Sequence, residues 1–195
     1  MILSNRGIQK ALDEGRLVIE PEPLPREPVV GGPACPYDTT AVDLRLGRYI
    51  SVPRTNEPFT FDPRKPGTAK FMSDHSDEID LTRPGGFTLD PNIFVLGVTL
   101  EKVGLPLFET RPPLAARIEG KSSRARMGLL VHFTAPTVHA GWSGPLALEM
   151  IVLGPASITL WYEQPICQLI IEECESVPFA NPSQFQDQKK PAGTR

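Results

Sequence analysis

The chain has 195 residues, with 20 lysines and arginines against 23 aspartates and glutamates, so its formal net charge is -3. This length supports one sizeable hydrophobic core but not two comfortable domains. The near balance of charge argues against a nucleic-acid polymer as the main partner, because such a partner selects a surplus of positive charge. A small phosphate ligand is compatible with it, since that needs only a local group of donors.

No part of the sequence approaches the roughly 20 apolar residues of a membrane-spanning helix. Residues 1–6 lack the apolar core of a secretion signal. The three cysteines, Cys35, Cys167 and Cys174, have no metal-ligand spacing, and their odd number fits reduced thiols. We therefore expect a cytoplasmic protein without a membrane partner.

The first predicted element is a short amino-terminal helix. Ser4 can cap its start, and the apolar residues Ile8, Ala11 and Leu12 share one face. Gly15 can end the helix, because glycine adopts the left-handed conformation that often follows a last helical turn.

The rest of the chain is typical of short strands joined by loops. Residues 21–36, with six prolines, are expected to form an extended crossover loop, and residues 53–92 to hold loops with short strands between them. Many short strands with little helix indicate a mainly β fold, such as a sandwich, barrel or jelly roll. After about residue 176 the sequence is polar and would be disordered on its own. Apolar runs predict strands at residues 42–46, 94–100, 128–135, 146–153, 158–162 and 166–171.

Glu149 is the residue with the most informative surroundings. It is the only charged residue within 146–153, where both faces of the predicted strand are apolar. We expect such a strand to be buried on both faces, and a carboxylate there is costly unless it is paired or protonated. A buried carboxyl group suits general acid/base catalysis. A structural ion pair, with Arg126 as the candidate partner, explains the pattern equally well.

A second candidate is the basic turn, residues 119–126, with the sequence Glu-Gly-Lys-Ser-Ser-Arg-Ala-Arg. Backbone N–H groups, hydroxyls and guanidinium groups of this kind bind phosphate oxygens. A solvated surface turn is the plainer interpretation of the segment taken alone. It is not a Walker A loop, because the required glycine spacing is absent.

The three histidines do not form a recognised zinc motif. Zinc-dependent deaminases use H-x-E followed by P-C-x-x-C, and the nearest fragment, residues 33–36, lacks the second cysteine. His132 lies in the predicted strand 128–135, where a histidine is more often a satisfied core residue than a ligand. We expect no metal ion bound directly by protein ligands.

Several segments together resemble the dCTP deaminases. Residues 119–129 are similar to the family's G-[KR]-S-S-x-A-R-x-G-L motif, and residues 141–149 to its G-[WF]-x-G-x-x-x-L-E segment. The matches run through nearly the whole chain in the right order, so the set is specific although each motif alone is weak. The remaining matches are residues 2–15, 43–47, 165–169 and 183–188.

This resemblance implies the distorted jelly-roll or β-barrel fold of the dUTPase-like type. It implies one domain over residues 1–175 and a flexible carboxyl-terminal arm, residues 176–195, that closes over the active site. Three chains would form a homotrimer with active sites at the subunit interfaces. The implied reaction is zinc-independent hydrolysis of dCTP to dUTP and ammonia, with Mg²⁺ arriving on the triphosphate.

The resemblance also assigns roles to residues. Glu149 would take a proton from water, the hydroxide would attack C4 of cytosine, and Glu149 would help to protonate the leaving ammonia. Ser122 and Arg126 would polarise the water from a neighbouring subunit, and the backbone near Ala135 would read the exocyclic amine. The implied substrate-binding set is Lys121, Ser122, Ser123, Arg124, Ala125, Arg126, Ala135, His139, Ala147, Leu148, Glu149, Phe179, Gln184 and Gln188.

Four positions depart from the family pattern. His139 begins a His-Ala pair where the family usually has Asp-Pro near the sugar, and Thr137 stands where an arginine or aromatic residue is frequent. Gln184 replaces a phosphate-binding lysine, for which a lysine at 189 or 190 can compensate. Phe179 replaces a tyrosine, so one hydroxyl contact is lost.

These departures keep two other functions open. A bifunctional enzyme would also remove pyrophosphate and give dUMP, whereas a plain dUTPase is disfavoured because it relies on an aspartate at position 139 and a glycine-rich arm. A non-catalytic nucleotide-binding homologue would keep the scaffold without the reaction. The retained Glu149, Ser122 and Arg126 argue against it.

Overall fold

Short antiparallel strands joined by long loops make up the fold, and the computed structural model describes residues 1–54, 60–62 and 64–193. The helices in these ranges are α1 (Asn5–Asp13), α2 (Thr68–Asp74) and α3 (Ser122–Ala125). The strands are β1 (Val18–Glu20), β2 (Tyr37–Asp38), β3 (Ala41–Pro53), β4 (Ser76–Asp80), β5 (Phe87–Leu89), β6 (Val95–Gly104), β7 (Leu114–Gly120), β8 (Leu129–Leu130), β9 (Thr137–Val138), β10 (Ser143–Val152), β11 (Ile158–Leu160) and β12 (Pro165–Glu173).

Ten of these strands form one curled sheet, whose main path is β8-β10-β6-β3-β12-β7-β9. β1 joins it beside β6, and β2 and β4 join it beside β3, while β5 and β11 pair separately. The pairings between these strands are antiparallel. The prediction of a mainly β fold is confirmed, and β6 and β10 lie side by side near the middle of the sheet.

The long strands bury one face in a shared hydrophobic core. Leu146, Leu148 and Met150 of β10 are buried at alternate positions, and Leu169 and Ile171 of β12 follow the same pattern. Burying a side chain of this size stabilises the fold by roughly 1.5–3 kcal/mol. These residues belong to one continuous cluster of buried side chains.

The short amino-terminal helix forms where the sequence predicts it. Ser4 Oγ accepts a hydrogen bond from the Gly7 backbone N–H at 3.3 Å, and Ile8 and Ala11 are buried. Gly15 follows with a φ of +63°, which a residue without Cβ adopts without strain. Among the described helices, none is both long and apolar enough to span a membrane.

Two local predictions are wrong. Residues 53–92 contain a helix, α2, which has no buried residue and therefore no apolar face that the sequence could reveal. The strand predicted at 128–135 is only two residues long, β8. The backbone turns at Gly128, which has a φ of +87°, and only two residue pairs then join β8 to β10. The chain then leaves the sheet, and residues 131–136 form a loop.

Candidate active site

A cavity of about 690 Å³ lies between β10, the loop 131–142 and the carboxyl-terminal segment 180–188. Leu107 and Trp142 give it apolar walls, and a few polar side chains project into it. Sites for small molecules commonly have this volume and this mixture of apolar surface with few polar groups.

Glu149 borders this cavity from β10. Alternate residues of β10 are buried, and Glu149 lies on the other face, with 25% of its side chain exposed. The prediction that both faces of this strand are buried is therefore wrong, because its second face borders the cavity instead of more core. Thr134 Oγ1 donates a hydrogen bond of 2.6 Å to Glu149 Oε2. Within the described part of one chain, no ion pair joins Glu149 to Arg126.

His132 is a second titratable group beside Glu149. Its Nδ1 lies 3.5 Å from Glu149 Oε2, its side chain is 7% exposed, and Nδ1 has no hydrogen-bond partner among the described residues. Burial lowers the pKa of His132, and the charge of Glu149 acts in the opposite direction. The imidazole is therefore neutral at neutral pH and does not act as a counter-charge to Glu149. The prediction of a satisfied core histidine in a strand is wrong.

The sequence model of the family described as dCTP deaminase-like matches residues 2–174. The chain belongs to this family. A relative from Coprothermobacter proteolyticus named "dCTP deaminase, dUMP-forming" is 34% identical over 200 residues, which cover 100% of this chain and 96% of the relative. A protein of Natronomonas pharaonis named dCTP deaminase is 34% identical over 202 residues, which cover 100% of this chain and 94% of that protein. The resemblance drawn from the motifs is confirmed.

A solved structure supports the architecture of this dCTP deaminase-like chain. The 2'-deoxycytidine 5'-triphosphate deaminase of Agrobacterium tumefaciens aligns with a TM-score of 0.62 at 20% sequence identity. The alignment covers 87% of this chain and 47% of that one, so the chain spans about half the length of that protein. The predicted dUTPase-like β fold is confirmed.

The basic turn of this deaminase-like chain does not line the cavity of its own chain. α3 begins directly after Lys121, whose ammonium group is bound by both carboxylate oxygens of Asp43. Arg124 Nη2 reaches the carbonyl of Pro165 at 3.4 Å. The turn is therefore fixed to β3 and β12 at its base. Three exposed residues of the turn have no side-chain partner within the described ranges, namely Ser122, Ser123 and Arg126.

The carboxyl-terminal segment closes one side of the cavity. Gln188 is 3% exposed, and its Nε2 donates a hydrogen bond of 2.9 Å to the carbonyl oxygen of Pro145. The backbone N–H of Asp187 donates to the carbonyl oxygen of Ser143 at 2.9 Å. These two bonds dock the segment on the first residues of β10, four residues or fewer from Ala147.

Lys190 holds the segment farther along the chain. Its Nζ lies 2.6 Å from the Glu78 carboxylate on β4 and 4.4 Å from the ring centre of Tyr49 on β3. Lys190 is thus engaged by the body of the protein and does not line the cavity. In this conformation it does not take the place of the phosphate-binding lysine that Gln184 replaces.

One chain brings together only part of the predicted site. Leu148 points into the core with no exposed surface, so only its backbone is available to a ligand. Phe179 is 89% exposed, and neither it nor Gln184 lines the cavity. The predicted residues that do line it are Ala135, His139, Ala147, Glu149 and Gln188.

The sequence reasoning missed the side chains closest to Glu149. Thr134 and His132 come from the loop after β8, and the side chains of both lie close to Glu149 Oε2. No local sequence motif indicates these two residues, because only the tertiary fold brings them close to Glu149. The Gly-Trp motif, by contrast, pointed to Trp142, which lies in the cavity wall.

Proposed function

We propose that this chain hydrolyses dCTP to dUTP and ammonia without zinc. The observation that carries the proposal is the Glu149 carboxylate, which borders the cavity of a dCTP deaminase-like chain and is oriented by Thr134. Relatives named dCTP deaminase match the full length of the chain at about 34% identity. The three cysteines are free, which supports a reducing, cytoplasmic setting.

Glu149 performs both proton transfers in this proposal. Its carboxylate takes a proton from water, and the hydroxide oxygen bonds to C4 of cytosine while the ring accepts the electron pair of the double bond. The carboxylic acid then returns the proton to the amino group, and the C4–N bond breaks so that ammonia leaves with the bonding electron pair. The proton of the C4 hydroxyl passes to N3, which gives the C4 carbonyl and the N3–H of uracil. Glu149 Oε2 accepts the hydrogen bond from the Thr134 hydroxyl, so Oε1 is the oxygen that is available to bind the water. The neutral His132 does not form an ion pair with this carboxylate.

The triphosphate requires donors from a second chain. It carries several negative charges, yet among the described residues no lysine or arginine lines the cavity. The basic turn offers exposed hydroxyl and guanidinium groups that do not line the cavity of their own chain, and a neighbouring copy supplies them in a homotrimer. Ser122 and Arg126 then polarise the water and the tetrahedral centre. Lys121, Ser123 and Arg124 complete the phosphate side.

Mg²⁺ fits this site as a companion of the nucleotide. The cavity lining contains one carboxylate, that of Glu149, and within the described ranges no three His, Cys, Asp or Glu side chains converge on a common point. Magnesium commonly binds nucleotides through phosphate oxygens and water with few protein ligands. Bound in this way, the ion would neutralise part of the phosphate charge.

The remaining predicted contacts recognise the base and close the site. The backbone near Ala135 reads the exocyclic amine, and the backbone at Ala147 and Leu148 contacts base and sugar. The arm, with Phe179, Gln184 and Gln188, covers bound nucleotide. The docking of Gln188 on β10 supports this arrangement, because it already places the arm beside Glu149.

The product is dUTP rather than dUMP in this proposal. A plain dUTPase relies on an aspartate at position 139 to orient water at the α-phosphate, and this chain has a histidine there. The second candidate, a bifunctional enzyme, is favoured by the Coprothermobacter proteolyticus relative, whose name includes dUMP formation. The two candidates differ in one measurable product.

The decisive experiment separates the products of dCTP and Mg²⁺ by chromatography, for the wild type and for Glu149→Gln. dUTP from the wild type with a rate at least about 100-fold lower in the variant supports the proposal. dUMP with pyrophosphate would establish the bifunctional enzyme. Bound but unchanged dCTP at high protein concentration would refute deamination of this nucleotide.

A mixing experiment tests the shared site. Glu149→Gln removes the acid/base that one chain supplies, and Arg126→Ala removes the guanidinium that its neighbour supplies. A homotrimer of either variant should therefore be inactive. Trimers co-expressed from both variants should regain activity, because some interfaces combine an intact Glu149 with an intact Arg126. Continued inactivity of the mixture would contradict a site built from two chains.

A further inference from the structure

The central strand β6 bends behind the cavity wall. On the neighbouring strand β10, Pro145 lies opposite Lys102 and Ala147 lies opposite Val98. Residues 99–101 of β6 therefore stand opposite Leu146 alone. Such a bulge interrupts the ladder of backbone hydrogen bonds and bends the strand. Backbone groups of the adjacent strands that face the bulge need other partners, because buried backbone N–H groups are costly to leave unpaired.

Two buried polar side chains of the bend supply these partners. Thr99 Oγ1 accepts a hydrogen bond from the Leu146 N–H on β10 at 2.9 Å and donates one to the carbonyl oxygen of Glu101 at 2.7 Å. On the other side, Glu101 accepts hydrogen bonds from the backbone N–H and the Nε of Arg45 on β3, at 2.8 and 2.7 Å. Thr99 is 2% exposed and Glu101 is fully buried, so water does not replace these bonds.

Leu146 is the point at which β10 becomes the cavity wall. Leu146 and Ala147 both belong to the cavity lining, although the Leu146 side chain is buried on the core face of β10, and Glu149 follows two residues after Ala147. The carbonyl oxygen of the preceding residue, Pro145, accepts the hydrogen bond from Gln188 of the arm. A shift of the Leu146 backbone would therefore move the Glu149 carboxylate, the cavity wall at Ala147 and the Pro145 carbonyl to which the arm is bound.

We propose that Thr99 is a positioning residue for Glu149. Its hydroxyl holds β10 against the bend in β6 through the Leu146 N–H, and this sets the position of the carboxylate in the cavity. Thr99 itself is buried behind the wall and does not line the cavity. The proposal rests on the proposed deamination for its effect on rate, while the hydrogen bond on which it depends is testable without activity.

Thr99→Val is the main test, because valine keeps the shape of the side chain and removes both hydrogen bonds. We expect kcat for dCTP to fall about 10- to 100-fold, the penalty of a displacement near 1 Å at a reacting group, with KM changed by less than about threefold. Thr99→Ser keeps the hydroxyl and should retain most of kcat. Ser76→Ala removes a buried hydroxyl on β4 that has no hydrogen-bond partner in the described chain, and should behave as wild type.

Hydrogen exchange of the Leu146 amide, followed by mass spectrometry, gives the second readout. Exchange at Leu146 should be at least about tenfold faster in Thr99→Val than in wild type and Thr99→Ser. If the valine variant fails to fold, Thr99→Cys replaces it, since a thiol is a poor acceptor of nearly the size of the serine side chain. The cysteine variant should then show lower kcat and faster exchange than the serine variant.

The outcomes separate this proposal from the proposed function. Wild-type kcat in folded Thr99→Val, or equal losses in the valine and serine variants, overturns the positioning role. Unchanged exchange at Leu146 overturns it as well, whether or not the wild type is active. A wild type that releases no ammonia from dCTP refutes the proposed function, and accelerated exchange in the valine variant then still supports the role of Thr99 in holding β10.

Discussion

Replacing Gln188 by methionine should release the carboxyl-terminal arm. Methionine has nearly the length of glutamine but cannot donate a hydrogen bond, so the carbonyl oxygen of Pro145 loses a bond of 2.9 Å at a site where Gln188 is 3% exposed. Leaving such an acceptor unpaired costs about 1–2 kcal/mol. Because about 1.4 kcal/mol corresponds to a factor of ten, the ratio of docked to released arm should fall roughly tenfold.

Hydrogen exchange of the arm measures this ratio directly. The amide of Asp187 donates to the carbonyl oxygen of Ser143 only while the arm is docked, so its exchange should become roughly tenfold faster in Gln188→Met. The kcat/KM for dCTP should decrease in parallel. Lys189→Arg is the matched control, because Lys189 is the next residue, is exposed, and keeps its positive charge in this variant. Unchanged Asp187 exchange in the methionine variant would refute the idea that Gln188 docks the arm.

Three further predictions concern Glu149 and its surroundings. Thr134→Val should lower kcat about tenfold, whereas Thr134→Ser should preserve it, because only the hydroxyl orients the carboxylate; steady-state kinetics distinguishes the two. Burial lowers the pKa of His132, so the unfolded chain binds the proton more readily, and stability should be lost as the pH falls below about 6.5. Thermal unfolding between pH 7 and 5 should show a smaller loss for His132→Gln, and an equal loss would contradict this assignment. Leu148→Ala should cost about 2–5 kcal/mol in denaturant titrations, since Leu148 has no exposed surface.

The sequence predicted the elements whose patterns are local. The cap and apolar face of α1 gave the first helix, and runs of apolar residues gave β3, β6, β10 and β12. α2 was missed because its helix is not amphipathic toward the core. The strand at 128–135 was overpredicted because an apolar run does not show that pairing begins only after Gly128 and that the chain leaves the sheet after Leu130.

The candidate site was predictable only where motifs mark it. Glu149 was identified from its apolar neighbours, although the reason was incomplete, since its face of β10 borders a cavity rather than core. His132 and Thr134 reach it through the tertiary path of a loop, which no spacing rule describes. The proposed contribution of the basic turn would come from a second chain, so that part of the site stays a prediction.

The carboxyl-terminal segment is bound to the body of the protein at two places and is therefore not a free end of the chain. It leaves the sheet after β12, which ends at Glu173, and it is fastened again at Gln188 and at Lys190. A segment with both ends fixed has already lost most of the entropy that closing a loop costs. In the proposed enzyme, the middle of the segment would move outward while both ends stay attached, and nucleotide would enter and product leave by this route. Loss of both attachments, at Gln188 and at Lys190, would leave a long chain with one free end, and its return to the docked position would be slower.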